Sequence, residues 1–274
     1  MRTLSIGDIH GKNDWTYFTH GSPQDFDRWA ISIDSGAPAD NREWTEDFDD
    51  YMNYDKIIFI GDYVDSFTVG NAEMKKNLED IIFFKKTCPD KVVLLLGNHD
   101  IQYIVANAIC SGYRPEMRHD FYKIFMDNIE LFTFAYEEVS KAGKTWLWTH
   151  AGVTSGWYKE LRKELFEPNH RFAEIVKERN PQTIAEEINL AWELKMPVLY
   201  NVDTASGGYQ LWAGPVWVRP HILNTHPLDG VSQIVGHTPQ ASIWRNRVNE
   251  TVEHIYIDCL EHGGVNGDCF ELEL

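Results

Sequence analysis

The 274-residue chain predicts an α/β sandwich with mixed sheets. Three observations carry the prediction. Short apolar runs of strand length recur, and each stops at a polar cluster. Helical patterns fill the intervals between the early runs. The C-terminal part returns to strand-like runs with little helix between them.

The runs come in order. Thr3-Leu4-Ser5-Ile6 leads into Gly7-Asp8, and Lys56-Ile57-Ile58-Phe59-Ile60 into Gly61-Asp62. Val92-Val93-Leu94-Leu95-Leu96 leads into Gly97-Asn98-His99-Asp100. Trp146-Leu147-Trp148-Thr149 leads into His150, and Ile234-Val235 into Gly236-His237. Continuous apolar runs, without strict alternation, mark sheets covered on both faces. Helices are expected over 71–86, where Met74, Leu78, Ile81 and Ile82 share a face behind an Asn71 cap, and over 101–110, 155–166 and 182–194. Late strands are expected at 241–244, 254–257 and 269–274.

Residues 13–54 separate the first two runs and are rich in Asp and Glu, among them Asp25, Asp34, Asp47 and Asp50. They read as an acidic, partly helical insertion on the surface. With no repeat, low-complexity tract or linker, residues 1–274 read as a single domain.

Hydrophobic residues at 43% and charged residues at 24% suit a soluble globular protein. The net charge of -17 opposes nucleic acid and anionic membranes as partners, while bound divalent cations can reverse it locally. The N-terminus has no apolar leader pattern, no 20-residue apolar stretch exists, and the four cysteines are scattered. A cytoplasmic protein with reduced thiols is expected.

Strand carboxyl ends are where α/β sheets bind ligands. Five of them deliver Asp8, His10, Asp62, Asn98, His150 and His237 to one edge. Any one of these alone reads as a cap or a satisfied surface group. Five clusters of carboxylate, amide and imidazole donors together read as a metal site, suited to Mn, Fe or Zn more than to Ca or Mg.

Gly7-Asp8-Ile9-His10-Gly11, Gly61-Asp62-Tyr63-Val64-Asp65, Gly97-Asn98-His99-Asp100, Thr149-His150-Ala151-Gly152 and Gly236-His237-Thr238-Pro239 resemble the five ordered motifs of calcineurin-like metallophosphoesterases. The nearest likeness is to the branch of bacterial and phage serine/threonine phosphatases and diadenosine tetraphosphatases. The resemblance implies a four-layer α/β/β/α fold and two divalent metals, manganese foremost. It places Asp8 and His10 on the first metal, Asp62 on both, and Asn98, His150 and His237 on the second. Many relatives carry Gly-His-x-His in the last motif, with the second histidine on the first metal. Here Thr238-Pro239 replaces it, so that ligand is absent.

Two such metals hold a bridging hydroxide at neutral pH, which attacks phosphorus in line with the leaving group. His99 is the candidate acid for the leaving oxygen, with Asp65 holding its imidazole. The branch's protein phosphatases read Gly-Asp-x-x-Asp-Arg-Gly, whereas this chain has Ser66-Phe67 after Asp65. Arg219, in a Gly-Pro-x-Trp-x-Arg segment, is the first candidate to replace that arginine, with Arg114 and Arg118 behind it. The expected substrate is a phosphate monoester, phosphoprotein or small molecule. The alternative is a dinucleoside polyphosphate, with Tyr209, Trp212 and Trp217 as a base slot. A noncatalytic module is disfavoured by the complete set of donors.

Overall fold

The computed structural model describes residues 1–35, 51–105, 109–168, 171–203, 205–260 and 269–274. Its first half runs β1 (Arg2–Ile6), α1 (Trp15–Thr19), α2 (Pro23–Asp34), β2 (Lys56–Phe59), α3 (Asn71–Thr87), β3 (Val92–Leu95), α4 (Asn98–Ile104), α5 (Arg118–Met126) and β4 (Phe132–Thr133). The second half runs β5 (Ala135–Val139), β6 (Thr145–Thr149), α6 (Ser155–Leu165), α7 (Ala173–Arg179), α8 (Ile184–Glu193), α9 (Pro220–Thr225), β7 (Val231–Val235), β8 (Trp244–Arg247), β9 (Glu253–Tyr256) and β10 (Phe270–Glu273).

Two mixed sheets result, ordered β10-β1-β2-β3-β4 and β5-β6-β7-β9-β8. In the first, β1 to β4 are parallel and β10 closes one edge antiparallel to β1. In the second, β6, β7 and β9 are parallel, with β5 and β8 antiparallel at the edges.

The apolar runs are continuous because each strand has two dry faces. Ile57 and Phe59 pack in the cluster that holds Trp15, Met74, Leu78 and Phe84 of the helices. Ile58 and Ile60 pack instead with Trp146, Trp148, Ile234 and Ile255 between the sheets. Trp148 Nε1 crosses that layer to donate to Ser5 Oγ at 2.9 Å, so the indole's polar edge is satisfied where it is buried. Helices flank both sheets, and the α/β/β/α expectation is met.

Some elements differ from the sequence reading. α4 begins at Asn98, not at 101, because Asp100 in its first turn accepts from Gly97 N at 2.9 Å. The expected strand at 241–244 lies at Trp244–Arg247, a mostly exposed edge strand with no apolar run to mark it. β5 and α5 were not foreseen. β5 is an edge strand carrying Glu137 and Glu138, and α5 buries only Phe121 and Phe125.

The acidic segment also differs from a surface insertion over its described part. Trp15, Phe26 and Trp29 of α1 and α2 are buried, with Tyr51 just before β2. They surround His20, whose ring lies 4.8 Å from Trp29 and 5.0 Å from Tyr51 and Phe84. The acidic side chains face out while the aromatics cover the first sheet. Residues 36–50, which hold Asp40 through Asp50, lie outside the described residues.

Trp29 is 1% exposed and Ile31, two residues on, is 69% exposed. Trp29→Ala is therefore expected to cost about 3–5 kcal/mol of unfolding free energy. Ile31→Ala should stay within about 0.5 kcal/mol. Urea denaturation measures both; equal, small effects would return α2 to the surface.

Candidate metal centre

The parallel strands send their carboxyl ends to one edge. β1 leads to Asp8 and His10, β2 to Asp62 and Asp65, β3 to Asn98 and His99, β6 to His150 and β7 to His237. A cleft of about 360 Å³ there is lined by His10, Asp62, Asp65, Asn98, His99, Arg219 and His237, among others. Larger hollows elsewhere, near α6 and between α5 and α8, gather no comparable donors.

The donors meet closely. One oxygen or nitrogen from each of Asp8, Asp62 and His150 falls within 4.8 Å of the others. His150 Nδ1 lies 3.0 Å from the Ile60 carbonyl and donates to it. Its Nε2 then faces Asn98 Oδ1 at 2.9 Å and Asp62 Oδ2 at 3.4 Å. His237 Nδ1 faces the same Asn98 oxygen at 2.9 Å. His10 Nδ1 is spent on the Val64 carbonyl at 3.2 Å, which leaves Nε2 facing Asp62 Oδ2 at 3.9 Å. Lone pairs thus crowd around the Asp62 and Asn98 oxygens. Atoms that only accept need a proton or a cation between them. Oxygen and imidazole donors around a shared carboxylate fit a pair of divalent ions.

The backbone is bent to make this possible. His10, Asp62, Asp65 and His237 hold φ of 45°, 51°, 67° and 68°, in the left-handed region that costs non-glycine residues energy. Among the other described non-glycine residues only Asn180 and Lys195, at helix ends, hold a positive φ. Two glycines supply room. A Cβ on Gly97 would lie 2.1 Å from Asp62 Oδ1, and one on Gly236 would lie 2.0 Å from Asp8 Oδ1.

Electrostatics follow from the crowding. Burial opposes the charge on Asp62, but the imidazoles of His150, His99 and His10 outweigh it and hold the carboxyl well below the usual range. Burial, then the charges of Asp258 and Asp62, push Asp8 well up. Burial, then Arg219 and His150, push His237 far below the ordinary imidazole range. Burial also opposes the charge on His99. Asp62, the Asp65 hydrogen bond and the Asp65 and Asp100 charges overcome it and lift His99 to about 8.

His99 Nδ1 donates to Asp65 Oδ2 at 3.1 Å, and its Nε2 lies 4.0 Å from Asp62 Oδ2. Arg219 Nε donates to the Gly207 carbonyl at 2.9 Å and Nη1 to Thr238 Oγ1 at 3.2 Å, which holds the guanidinium on the cleft wall. Arg114 is used elsewhere: it binds Asn71 Oδ1 and the Ser66 and Val69 carbonyls. Arg118 is exposed and does not line the cleft. Trp217 lines the cleft, whereas Tyr209 and Trp212 do not.

Sequence reading missed several participants. Asp100 accepts from Asp62 N, Tyr63 N and Gly97 N. Gln102 and Tyr103 both donate to Asp65. Asn98 Nδ2 donates to Cys110 Sγ at 3.2 Å, which turns the amide oxygen toward the imidazoles. Asp258 lies two residues beyond β9 and lines the cleft. The strand-end rule that found Asp8 and Asp62 applies to it as well.

A sequence model of the calcineurin-like phosphoesterases matches residues 1–241. The chain belongs to that family. It is thereby a metal-dependent phosphoesterase, a hydrolase whose family uses a dinuclear divalent centre. No curated protein matches the chain in sequence. A cold-active protein-tyrosine phosphatase of a psychrophilic Shewanella is similar in structure, with 16% identity and a TM-score of 0.55 over 99% of this chain and 75% of that one. A dimetal phosphatase from Danio rerio is more distant, with 13% identity and a TM-score of 0.38 over 100% and 92% of the two chains. Identity this low speaks to the fold alone. No helix among the described residues is long and apolar enough to cross a membrane.

Two outcomes are expected. Gly97→Ala forces the Asp62 carboxylate aside and should leave the purified protein with well under its normal metal content by elemental analysis; unchanged content would show that Asp62 is not the shared donor. The second concerns pH. In metal-free protein, His99 sits at about 8 against an ordinary 6.5, so its charged form stabilises the fold. That contribution, about 2 kcal/mol, is fully present below pH 6.5 and lost as pH rises through about 8. Urea titrations at pH 6 and 9 should show the loss in wild type and not in His99→Asn.

Proposed function

We propose that the chain is a phosphomonoesterase acting on a phosphoprotein or a small phosphate ester, with residues 1–274 as one catalytic domain. The observation that carries this reading is the His99–Asp65 pair, fixed at the edge of the donor cluster inside the cleft. Asp8 and His10 are assigned to one divalent ion and Asn98, His150 and His237 to the other, with Asp62 shared. Manganese suits this mixture of hard oxygens and imidazole. When bound, the ions supply a nucleophile at neutral pH and neutralise the phosphoryl oxygens.

The chain's own residues do the rest. His99 holds a proton on Nε2 and delivers it to the leaving oxygen. Asp65 accepts from Nδ1, which fixes the ring and favours its charged form. Gln102 and Tyr103 hold Asp65 in turn. Arg219 binds the phosphate oxygens from the opposite wall. Among the described residues it is the sole lysine or arginine lining the cleft. A dinucleoside polyphosphate asks for more positive charge than one guanidinium. Tyr209 and Trp212, 62% and 61% exposed, also lie off the cleft. The monoester reading is therefore preferred.

The test combines a substrate panel with His99→Asn. Wild-type protein with Mn²⁺ should hydrolyse a seryl phosphopeptide and p-nitrophenyl phosphate in preference to diadenosine tetraphosphate. His99→Asn should keep its metal yet lose roughly 10²–10⁴ in kcat on the seryl phosphate, whose alkoxide needs the proton. The loss on p-nitrophenyl phosphate should be clearly smaller, since nitrophenolate leaves without help. Equal losses on both substrates would remove His99 from the acid role.

A further inference from the structure

We infer that Asp258 is an additional ligand of the first metal position, standing where the family's second histidine is missing from Gly236-His237-Thr238-Pro239. The inference rests on the ligand assignment proposed above and extends it.

Three placements support it. Asp258 is 2% exposed and lines the same cleft as His10, Asp62 and His237. After burial, its charge is the foremost of those that push the Asp8 carboxyl up, as expected of two neighbouring acids. Its backbone is held beside Asp8 from two sides. Gln240 N donates to the Asp258 carbonyl at 2.8 Å. Gly7, the residue before Asp8, packs against the same stretch so closely that a Cβ there would lie 2.2 Å from the Ile257 oxygen and 3.4 Å from Asp258 Cα. The backbone thus sets Asp258 against the turn that carries Asp8.

Two ionised carboxylates in contact repel strongly in a buried site. A cation between them removes the repulsion and uses both. With Asp258 included, the first position has Asp8, Asp258, His10 and the shared Asp62. The second has Asn98, His150, His237 and the shared Asp62. One position is rich in carboxylate, the other in uncharged donors. The carboxylate-rich position should fill first and hold its ion more tightly, and its extra hard oxygen favours Mn²⁺ over Zn²⁺.

The experiment uses the full chain, stripped of metal and titrated with Mn²⁺ in a calorimeter. Wild type should show two binding events of unequal affinity. Asp258→Asn should weaken the tighter event at least tenfold and leave the weaker one in place, while His237→Asn should weaken the other event. If Asp258→Asn binds Mn²⁺ as wild type does while His237→Asn is impaired, Asp258 is not a ligand and only this inference falls. If both variants bind as wild type, the underlying assignment falls with it. Asp258→Cys provides an arm that does not depend on the asparagine variant folding. A thiolate at this position should bind Cd²⁺ and add an ultraviolet sulfur-to-cadmium charge-transfer band above the wild-type spectrum. No added band would overturn the inference.

Discussion

One buried carboxylate ties the site to the fold. Asp100 accepts from the backbone of Asp62 and Tyr63 after β2 and of Gly97 after β3. Burial and then the Asp62 charge push the Asp100 carboxyl well up, and these three N–H groups oppose that push. Together they hold two loops that would otherwise separate, and they keep Asp62 at a φ of 51°. Asp62 in turn accepts from His99 N at 2.9 Å, so the carboxylate proposed as shared also positions the proposed acid. The shape of the candidate metal centre therefore begins with Asp100, outside the proposed set of ligands. Removing the Asp100 carboxylate would orphan three buried donors at once.

Much of this was legible in the chain. Apolar runs ending in Gly-Asp, Gly-Asn-His, Thr-His or Gly-His located β1, β2, β3, β6 and β7, and the residues after them converge as their order implied. What could not be read was anything set by tertiary contact. Asp100 looks like a helix residue until its three donors are seen. Asp258 follows a short apolar run, Ile255-Tyr256-Ile257, but stands outside the five motifs. Trp15 and Trp29 stand among acidic residues, so their burial was masked by the composition around them. β5 and β8 are edge strands with one wet face, and edge strands carry little apolar signal.

The departure at Ser66 also has a structural explanation. Where the related phosphatase pattern has arginine, Ser66 is buried and its Oγ accepts from Thr68 N and Val69 N. That local turn turns Phe67 outward, 72% exposed, to the rim of the cleft. Arg114 then clamps the turn from outside through the Ser66 and Val69 carbonyls. The chain has exchanged a cation near the phosphate for a rigid loop with an apolar tip. Among the described residues, Lys or Arg charge at the cleft is left to Arg219, just before α9, whose guanidinium donates to Thr238 beyond β7.

The pairing of β10 with β1 bears on how the molecule is made. β1 carries Asp8 at its end, yet one of its flanks is covered by the last strand in the chain, with Ser5 opposite Phe270 and Arg2 opposite Glu273. On the ribosome, β1 and β2 emerge long before β10 can close that flank. Until then the sheet presents a bare edge that can pair with any passing strand. Translation slowed between β9 and β10 would prolong this exposure, and nascent chains released early would aggregate through β1.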